Sequence, residues 1–546
     1  MPPQRSICLV TDEIAPLTTG ESGRALRALV LDSLERSPSL QFHFLLAPDA
    51  RIDAERLRTS FEGRVQVHLA SATPAREASS RYPPATAFVS SWHAESLELL
   101  LALKHLERNG HLFDVIEFPD RKGWAFCTLQ EKRLGLGFAG SEVAVRLHGT
   151  MGLLRRRLGQ PLTRESLFGF ELERKSLLDA ERVTSGDREL AALSASYYGF
   201  SGEWLARVSA ETLYPVAQAE TQLDPPCGGT GPLVSVVMTN FNLARHLPAA
   251  LASVAASGYP DLEIVLVDDA STGAEDARLL EQLESGQDPA TASIRIVRNP
   301  SNRGLAASRN LGIRAARGKY LLPLDADDCI SPRFIELAVR ALEAQPGFDG
   351  VVPTAARFHS EEELDAGQFS TFLTFLGDAP TLGLVENCLS TATALLRRSL
   401  FDRHGYDEDL SSYEDWSLYL RLAHAGCRFL VTNEAHFHYR KRPGSMIDGL
   451  TRVRHLQLLA RIHESLLRPL PSSAHSFALL MPAMAATLEI AELRGEPAAL
   501  LLPSSRLQPM RYWLVDAING ALKKVPLAHR ALKALGKRFP AQRRKA

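Results

Sequence analysis

The run YLLPLDADDCISP, residues 320–332, ends an apolar stretch in three carboxylates, Asp325, Asp327 and Asp328. Clustered carboxylates repel one another and lose hydration unless a cation compensates them. Asp325 and Asp327 stand two residues apart, so an extended chain points both to one side, and Asp328 adds a ligand in the following turn. Hard oxygen ligands in an incomplete set suit Mg²⁺ or Mn²⁺, whose remaining positions go to water and phosphate oxygens. A second acidic pair, Glu414-Asp415 in YEDWSLYLRL, is open to two readings, one being a general base at Asp415. The alternative is structural: Ser412 and Asp415 have capping-box-like spacing, and the helix dipole favours an acid in a first turn.

These side chains need a scaffold that converges them. LVSVVMT (233–239), LEIVLVDD (262–269), IRIVRN (294–299) and KYLLPLD (319–325) read as strands, and the stretches between them read as helices. Such alternation predicts a parallel, doubly wound sheet whose ligand crevice lies beyond the carboxyl ends of the strands. Those ends read Thr239-Asn240-Phe241-Asn242, Asp268-Asp269, Asn299 with Asn302, and Asp325-Ala326-Asp327-Asp328. Asp and Asn also serve as turn and cap residues, which would explain any one end alone. Four polar ends on one edge favour a site.

At 546 residues the chain exceeds one core, and 45% apolar with 23% charged residues is a globular composition. A net charge of −1 gives no global attraction to nucleic acid. Six cysteines scattered singly suggest reduced thiols and a cytoplasmic setting. No secretory signal is read at the N-terminus, and the longest apolar run, from Phe477, is interrupted by Pro482 and too short for a bilayer. Expected boundaries follow from composition: an α/β domain over 1–216, a Pro/Gly-rich linker over 217–232, the acidic-edge domain over 233–449 and a helical region over 450–546.

VSVVMTNFN, LVDDAST, NRGLAASRNLGIRAARGKYLLPLDADD and SSYEDWSLYLRLAHAG, in this order, resemble the motifs of family 2 inverting glycosyltransferases of the GT-A fold. The resemblance implies that Thr239, Phe241 and Asp269 surround the nucleoside of a nucleotide sugar, with Asn240 and Asn242 on the same strand end. It implies that Asp325, Asp327 and Asp328 serve metal and diphosphate, that Arg309 approaches the diphosphate, and that Glu414-Asp415 is the catalytic pair. Where many members have Pro-Thr-Tyr-Asn, this chain has Thr239-Asn240-Phe241-Asn242, which retains an aromatic ring. AHFHYRKRPGSM resembles a loop closing over the donor, with His438 as a metal ligand and Arg440 on phosphate; a solvent-facing basic loop is the alternative. For Arg309 the alternative is a solvated charge on an amphipathic helix.

ICLVTDEIAPLTTGESGRAL, FDVIEFPD, VRLHGT and ERKSLLDAERVTSGDREL resemble the N-terminal half of a family 4, GT-B-fold glycosyltransferase. Its glycine-containing loop opens a helix, a geometry that receives phosphate, and His148 is the residue to test for ligand binding. The expected fold is therefore a Rossmann-like α/β domain, then a GT-A-like doubly wound mixed-sheet domain, then a helical segment. From Arg506 onward eleven Lys/Arg face one acid, which suits an amphipathic helix on the anionic inner face of the cytoplasmic membrane or, equally, a solvated tail. The expected activity is metal-dependent inverting sugar transfer to a glycan or glycolipid hydroxyl in bacterial surface polysaccharide biosynthesis. Nucleotidyl transfer, or a non-catalytic glycan-binding scaffold, are the alternatives.

Overall fold

A computed structural model describes residues 5–70, 81–160, 163–210, 231–285, 293–442 and 451–467. The basic stretch 506–546 and the Phe477 run lie outside them. The chain divides into two compact units, residues 1–160 with 165–225 and residues 161–164 with 226–546.

In the first unit, strands β1 (Ser6–Thr11), β2 (Gln41–Leu46), β3 (Val65–Leu69), β4 (Val115–Pro119), β5 (Glu142–Arg146), β6 (Arg182–Ser185) and β7 (Ser209–Ala210) form one parallel sheet, ordered β3-β2-β1-β4-β5-β6-β7. Alternation along the strands sends Ile7, Leu9, Phe42, Phe44, Val65 and Val67 to one face, where they pack on Leu26, Val30 and Leu34 of the helix Glu21–Arg36. The other face carries Cys8, His43, Gln66 and His68.

In the second unit, β8 (Val234–Asn240), β9 (Leu262–Asp268), β10 (Ser293–Arg298) and β11 (Tyr320–Asp325) run parallel in the order β10-β9-β8-β11. Register brings their carboxyl ends level: Asp325 lies opposite Thr239, Asn240 opposite Asp268, and Arg298 opposite Asp268. After β11 the chain adds β12 (Cys329–Ile330), β13 (Gly350–Phe358), β14 (Thr371–Leu373), β15 (Leu395–Arg397) and β16 (Phe429–Arg440). β15 joins β11 antiparallel and β16 lies parallel to β13, which makes the sheet mixed. β12 pairs antiparallel with β16, and so returns the chain just after the acidic run to the edge that begins with His438.

Helix Leu305–Ala315 sits close against this sheet because residue 312 is glycine. A Cβ there would lie 2.4 Å from Val237 Cγ1 and 2.9 Å from Val267 Cγ2. Arg309, one turn before Gly312, shares that sheet-facing side.

Candidate active site

Arg309 is the organising cation of the second unit. Its guanidinium is 2% exposed; Nη2 donates to both oxygens of Asp325, at 2.8 and 2.9 Å, and Nη1 donates to Glu414 Oε1 at 2.6 Å. Its carbon centre lies 5.3 Å over the Tyr406 ring. The solvated-helix alternative for Arg309 is thereby excluded. Instead of pointing freely toward a diphosphate, the side chain ties the end of β11 to the start of the helix Glu414–His424. Thr239 Oγ1 also donates to Asp325 Oδ1, at 2.9 Å.

The capping box that stood as the alternative at Ser412 does not form. The residue before the helix is Tyr413, held at a left-handed φ of 63° with no side-chain cap. Its hydroxyl shares a 3.0 Å hydrogen bond with His455 Nδ1. Asp415 keeps part of its surface in solvent, and its Oδ1 accepts from Trp416 N at 2.6 Å. Burial of the carboxyl, and then the neighbouring charge of Glu414, push it up to about 7, against the opposing pull of Arg309. A carboxylate poised there is matched to proton abstraction near neutral pH.

At the other strand ends the polar residues divide between scaffold and surface. Asp269 is buried: Oδ1 accepts from Asn299 Nδ2 (2.7 Å) and Arg303 N (2.9 Å), and Oδ2 from Gly304 N (2.8 Å). It pins the turn at Gly304, whose φ of 85° suits glycine, and so starts the helix that carries Arg309. Asn240 donates to Asp268, Ser271 and Asp276, each at 3.2 Å, and Asn242 Oδ1 accepts from Thr272 N and Gly273 N. These contacts lock the loop around Phe241, which is 43% exposed at the end of β8. An exposed aromatic on a braced loop has the free ring face that base stacking requires. Phe241→Ala is expected to weaken nucleotide binding about 5- to 150-fold, the equivalent of about 1–3 kcal/mol of base stacking, read by titration with nucleoside diphosphates.

The acidic run is drawn together from three directions. Arg440 is buried; its backbone N donates to Asp328 Oδ1 (2.8 Å), its Nε to the Asp327 carbonyl (2.8 Å), and its Nη2 to Glu361 (2.7 Å). The phosphate role expected of Arg440 meets a buried side chain spent on Asp327 and Glu361, whereas Arg442, two residues on, is partly exposed and its Nε meets Asp327 Oδ2 at 2.5 Å. Only the charge run pointed to Arg442. His438 stacks on Phe369 at 5.1 Å, and burial, then the neighbouring His436, push it down to about 4.

A divalent cation can be tested against this donor set. Among the described residues, no three of Asp325, Asp327, Asp328 and His438 bring ligand atoms within 4.8 Å of one another. Asp325 is taken up by Arg309. Asp328, however, is a buried carboxyl raised well above the usual range by desolvation and then by the charges of Asp327 and Asp325. A cation would restore its ionisation. Mg²⁺ and Mn²⁺ are held by one or two carboxylates when phosphates complete the shell, so Asp327 and Asp328 fit such an ion.

In the first unit, the glycine-containing loop is not an open phosphate cradle. The helix Glu21–Arg36 starts after Gly20, and a Cβ at Gly20 would coincide with Glu13 Oε1, 0.8 Å away. The Glu13 carboxylate, held by Ser22 and Arg121, already meets that positive helix end. His148 lines a cavity with Asp12, Asp120 and Arg121; its backbone N donates to Asp120 Oδ2 at 3.1 Å.

The family model described as Glycosyl transferase family 2 matches residues 235–405. A Haemophilus influenzae protein named an uncharacterized glycosyltransferase is 32% identical over 117 residues, which are 21% of this chain and 37% of that protein's length. The succinoglycan biosynthesis protein ExoO of Rhizobium meliloti is 29% identical over 257 residues, 45% of this chain and 71% of that protein. The crystal structure of S. aureus TarS 1–349 in complex with UDP-GlcNAc overlaps with a TM-score of 0.37 at 17% identity, covering 53% of this chain and 81% of that one. Residues 235–405, which hold the four level strand ends and the acidic run, are a glycosyl transferase family 2 domain.

Proposed function

We propose that this protein transfers a sugar from a nucleoside diphosphate sugar to a hydroxyl of a glycan or glycolipid, with inversion at the anomeric carbon, in the assembly of a bacterial surface polysaccharide. One observation carries the reading: Arg309 bridges Asp325 on the donor edge and Glu414 beside Asp415, so a base tuned to about 7 stands at the same crevice as the acidic run. The involvement of ExoO in succinoglycan biosynthesis supports the polysaccharide setting.

In this mechanism Phe241 stacks on the base of the donor, and Asp415 takes the acceptor hydroxyl proton as that oxygen bonds to the anomeric carbon. The bond from the anomeric carbon to the diphosphate oxygen breaks, and its electron pair leaves with the nucleoside diphosphate. Mg²⁺ or Mn²⁺ held by Asp327 and Asp328 would neutralise that departing charge. Arg442 lies on Asp327 and is available to follow the same phosphates. Arg309 is a positioning residue: it fixes Asp325 and Glu414, and through Glu414 the start of the helix bearing the base.

The test is incubation with Mn²⁺ and a panel of nucleotide sugars, with donor binding and released nucleoside diphosphate measured. Asp327→Ala is expected to lose donor binding in the presence of Mn²⁺, while the metal-free nucleoside still binds through Phe241. Release of pyrophosphate instead of nucleoside diphosphate, or unchanged metal-dependent binding in Asp327→Ala, would reject the reading.

No helix among the described residues is long and apolar enough to cross a membrane. Contact with a lipid-linked acceptor at a membrane surface is part of the proposal and is assigned to the basic stretch beyond the described residues.

A further inference from the structure

The first unit contains a cluster that sugar transfer does not use. His43 on β2, His68 on β3 and His111 on the loop before β4 each place a ring nitrogen within 4.8 Å of the others. His43 Nδ1 and His68 Nε2 are 3.0 Å apart, with ring centroids 5.3 Å apart and planes within 5°, so the two imidazoles lie edge to edge in nearly one plane with these nitrogens facing each other. His111 meets both edge-on, at 5.6 and 5.2 Å. Phe113 closes one side against His43 at 5.1 Å. A single N–H···N hydrogen bond would account for His43 and His68, but it leaves unexplained why a third imidazole from a separate element turns its nitrogen into the same small space.

We propose that His43, His68 and His111 form a binding site for one divalent transition-metal ion of the Zn²⁺ class. Tetrahedral zinc with Zn–N distances of about 2.0–2.1 Å separates its nitrogen ligands by about 3.4 Å, so the nitrogens already stand near ligand spacing, and the His43 and His68 rings turn off their common line to aim both at one ion. Three neutral imidazoles are the ligand set that zinc, copper and nickel accept and that Mg²⁺ and Mn²⁺ do not favour. No cysteine, aspartate or glutamate joins the cluster at that distance among the described residues. Cys8, the strand neighbour of His43, is buried outside it. The fourth position therefore goes to water, and His68 and His111 keep partial exposure through which the ion enters.

The consequence is mechanical. Among the described residues β3 is the edge strand of the first sheet and pairs with β2 alone. An ion on these three side chains would clamp β3 and β2 to the loop that leads into β4 at the centre of the sheet. The site is separate in chemistry from the acidic run of the second unit, so the two are distinguished by the metal each prefers.

The experiment uses the full chain without an affinity tag, stripped with EDTA and titrated with Zn²⁺ alone by calorimetry, with Co²⁺ as a spectroscopic probe. Expected are one Zn²⁺ per chain, a higher melting temperature with Zn²⁺ than with Mg²⁺, and intense Co²⁺ visible bands of four-coordinate geometry. Loss of an outer-shell partner typically costs 10–100-fold in metal affinity, so removing a ligand by His111→Ala or His68→Gln is expected to cost more than about 100-fold. The metal-free melting temperature of each variant shows that it is folded, and His111→Ala, on a loop, guards against loss of fold in the strand variant. Absence of stoichiometric Zn²⁺ binding by the parent chain, or wild-type affinity in either folded variant, overturns the proposal.

Discussion

Asp415→Asn is expected to lower kcat by about 10²–10⁴-fold, the usual contribution of a positioned general base, while nucleotide-sugar binding stays intact. The substitution keeps the shape and the hydrogen bond from Trp416 N but removes the proton acceptor. The pH profile follows from the carboxyl being pushed up to about 7 by burial and then by Glu414. The active form is the carboxylate, so kcat/KM falls as pH drops: at pH 6 about a tenth of the sites are ionised, and the rate is about a tenth of its plateau. Above pH 8 the limb is flat. An ordinary surface aspartate would instead keep full activity to about pH 5. Steady-state kinetics from pH 5 to 9, with donor affinity measured separately, checks this. A profile flat down to pH 5, or an Asp415→Asn enzyme that turns over normally, would remove Asp415 from the mechanism.

Arg309→Met is expected to destabilise the second unit by about 3–5 kcal/mol, because breaking a buried ion pair leaves its partners charged and without compensation. For a unit of this size that corresponds to a fall in melting temperature of about 6–20 °C. Two carboxylates depend on this guanidinium, both oxygens of Asp325 on Nη2 and Glu414 on Nη1 at 2.6 Å, and the arginine itself is 2% exposed. Lysine reaches with a single ammonium and cannot place one nitrogen on Asp325 and a second on Glu414, so Arg309→Lys is expected to recover only part of the loss. Adding Glu414→Gln to Arg309→Met should regain some stability by removing one orphaned charge. Thermal melts of the three variants decide the matter; Arg309→Met melting within about 1 °C of the parent would show that the triad contributes little.

The two expectations are linked, since Arg309 lowers the Asp415 carboxyl against the larger effects of burial and Glu414. Where Arg309→Met remains folded, the acidic limb of the rate profile should therefore move to higher pH.

Strand ends and acids were legible in local sequence because they follow from short-range rules. Apolar runs of strand length bounded by Asp, Asn and Gly set β8, β9, β10 and β11 to within a residue or two, and a parallel sheet levels such ends without further information. What each cation does was not legible. Arg309 looked like a diphosphate ligand or a solvated charge, and its burial arises from the close approach at Gly312 combined with the return of the chain at Glu414, 105 positions later. Arg440 and Arg442 sit two apart in one basic run, yet pairing of β12 with β16 buries the first and leaves the second on Asp327.

The three imidazoles at 43, 68 and 111 carry no motif spacing and become neighbours only because β2 and β3 align and the loop before β4 folds over them. Glu13 fills the loop at Gly20 for a similar reason: the distance between a side-chain end and a helix end is a property of packing. The sequence by itself determined which strand edge is polar, because periodicity and turn chemistry act over a few residues. Tertiary structure alone decided which charges compensate one another there, because ion pairing depends on distances of a few ångströms between residues that the chain order leaves far apart.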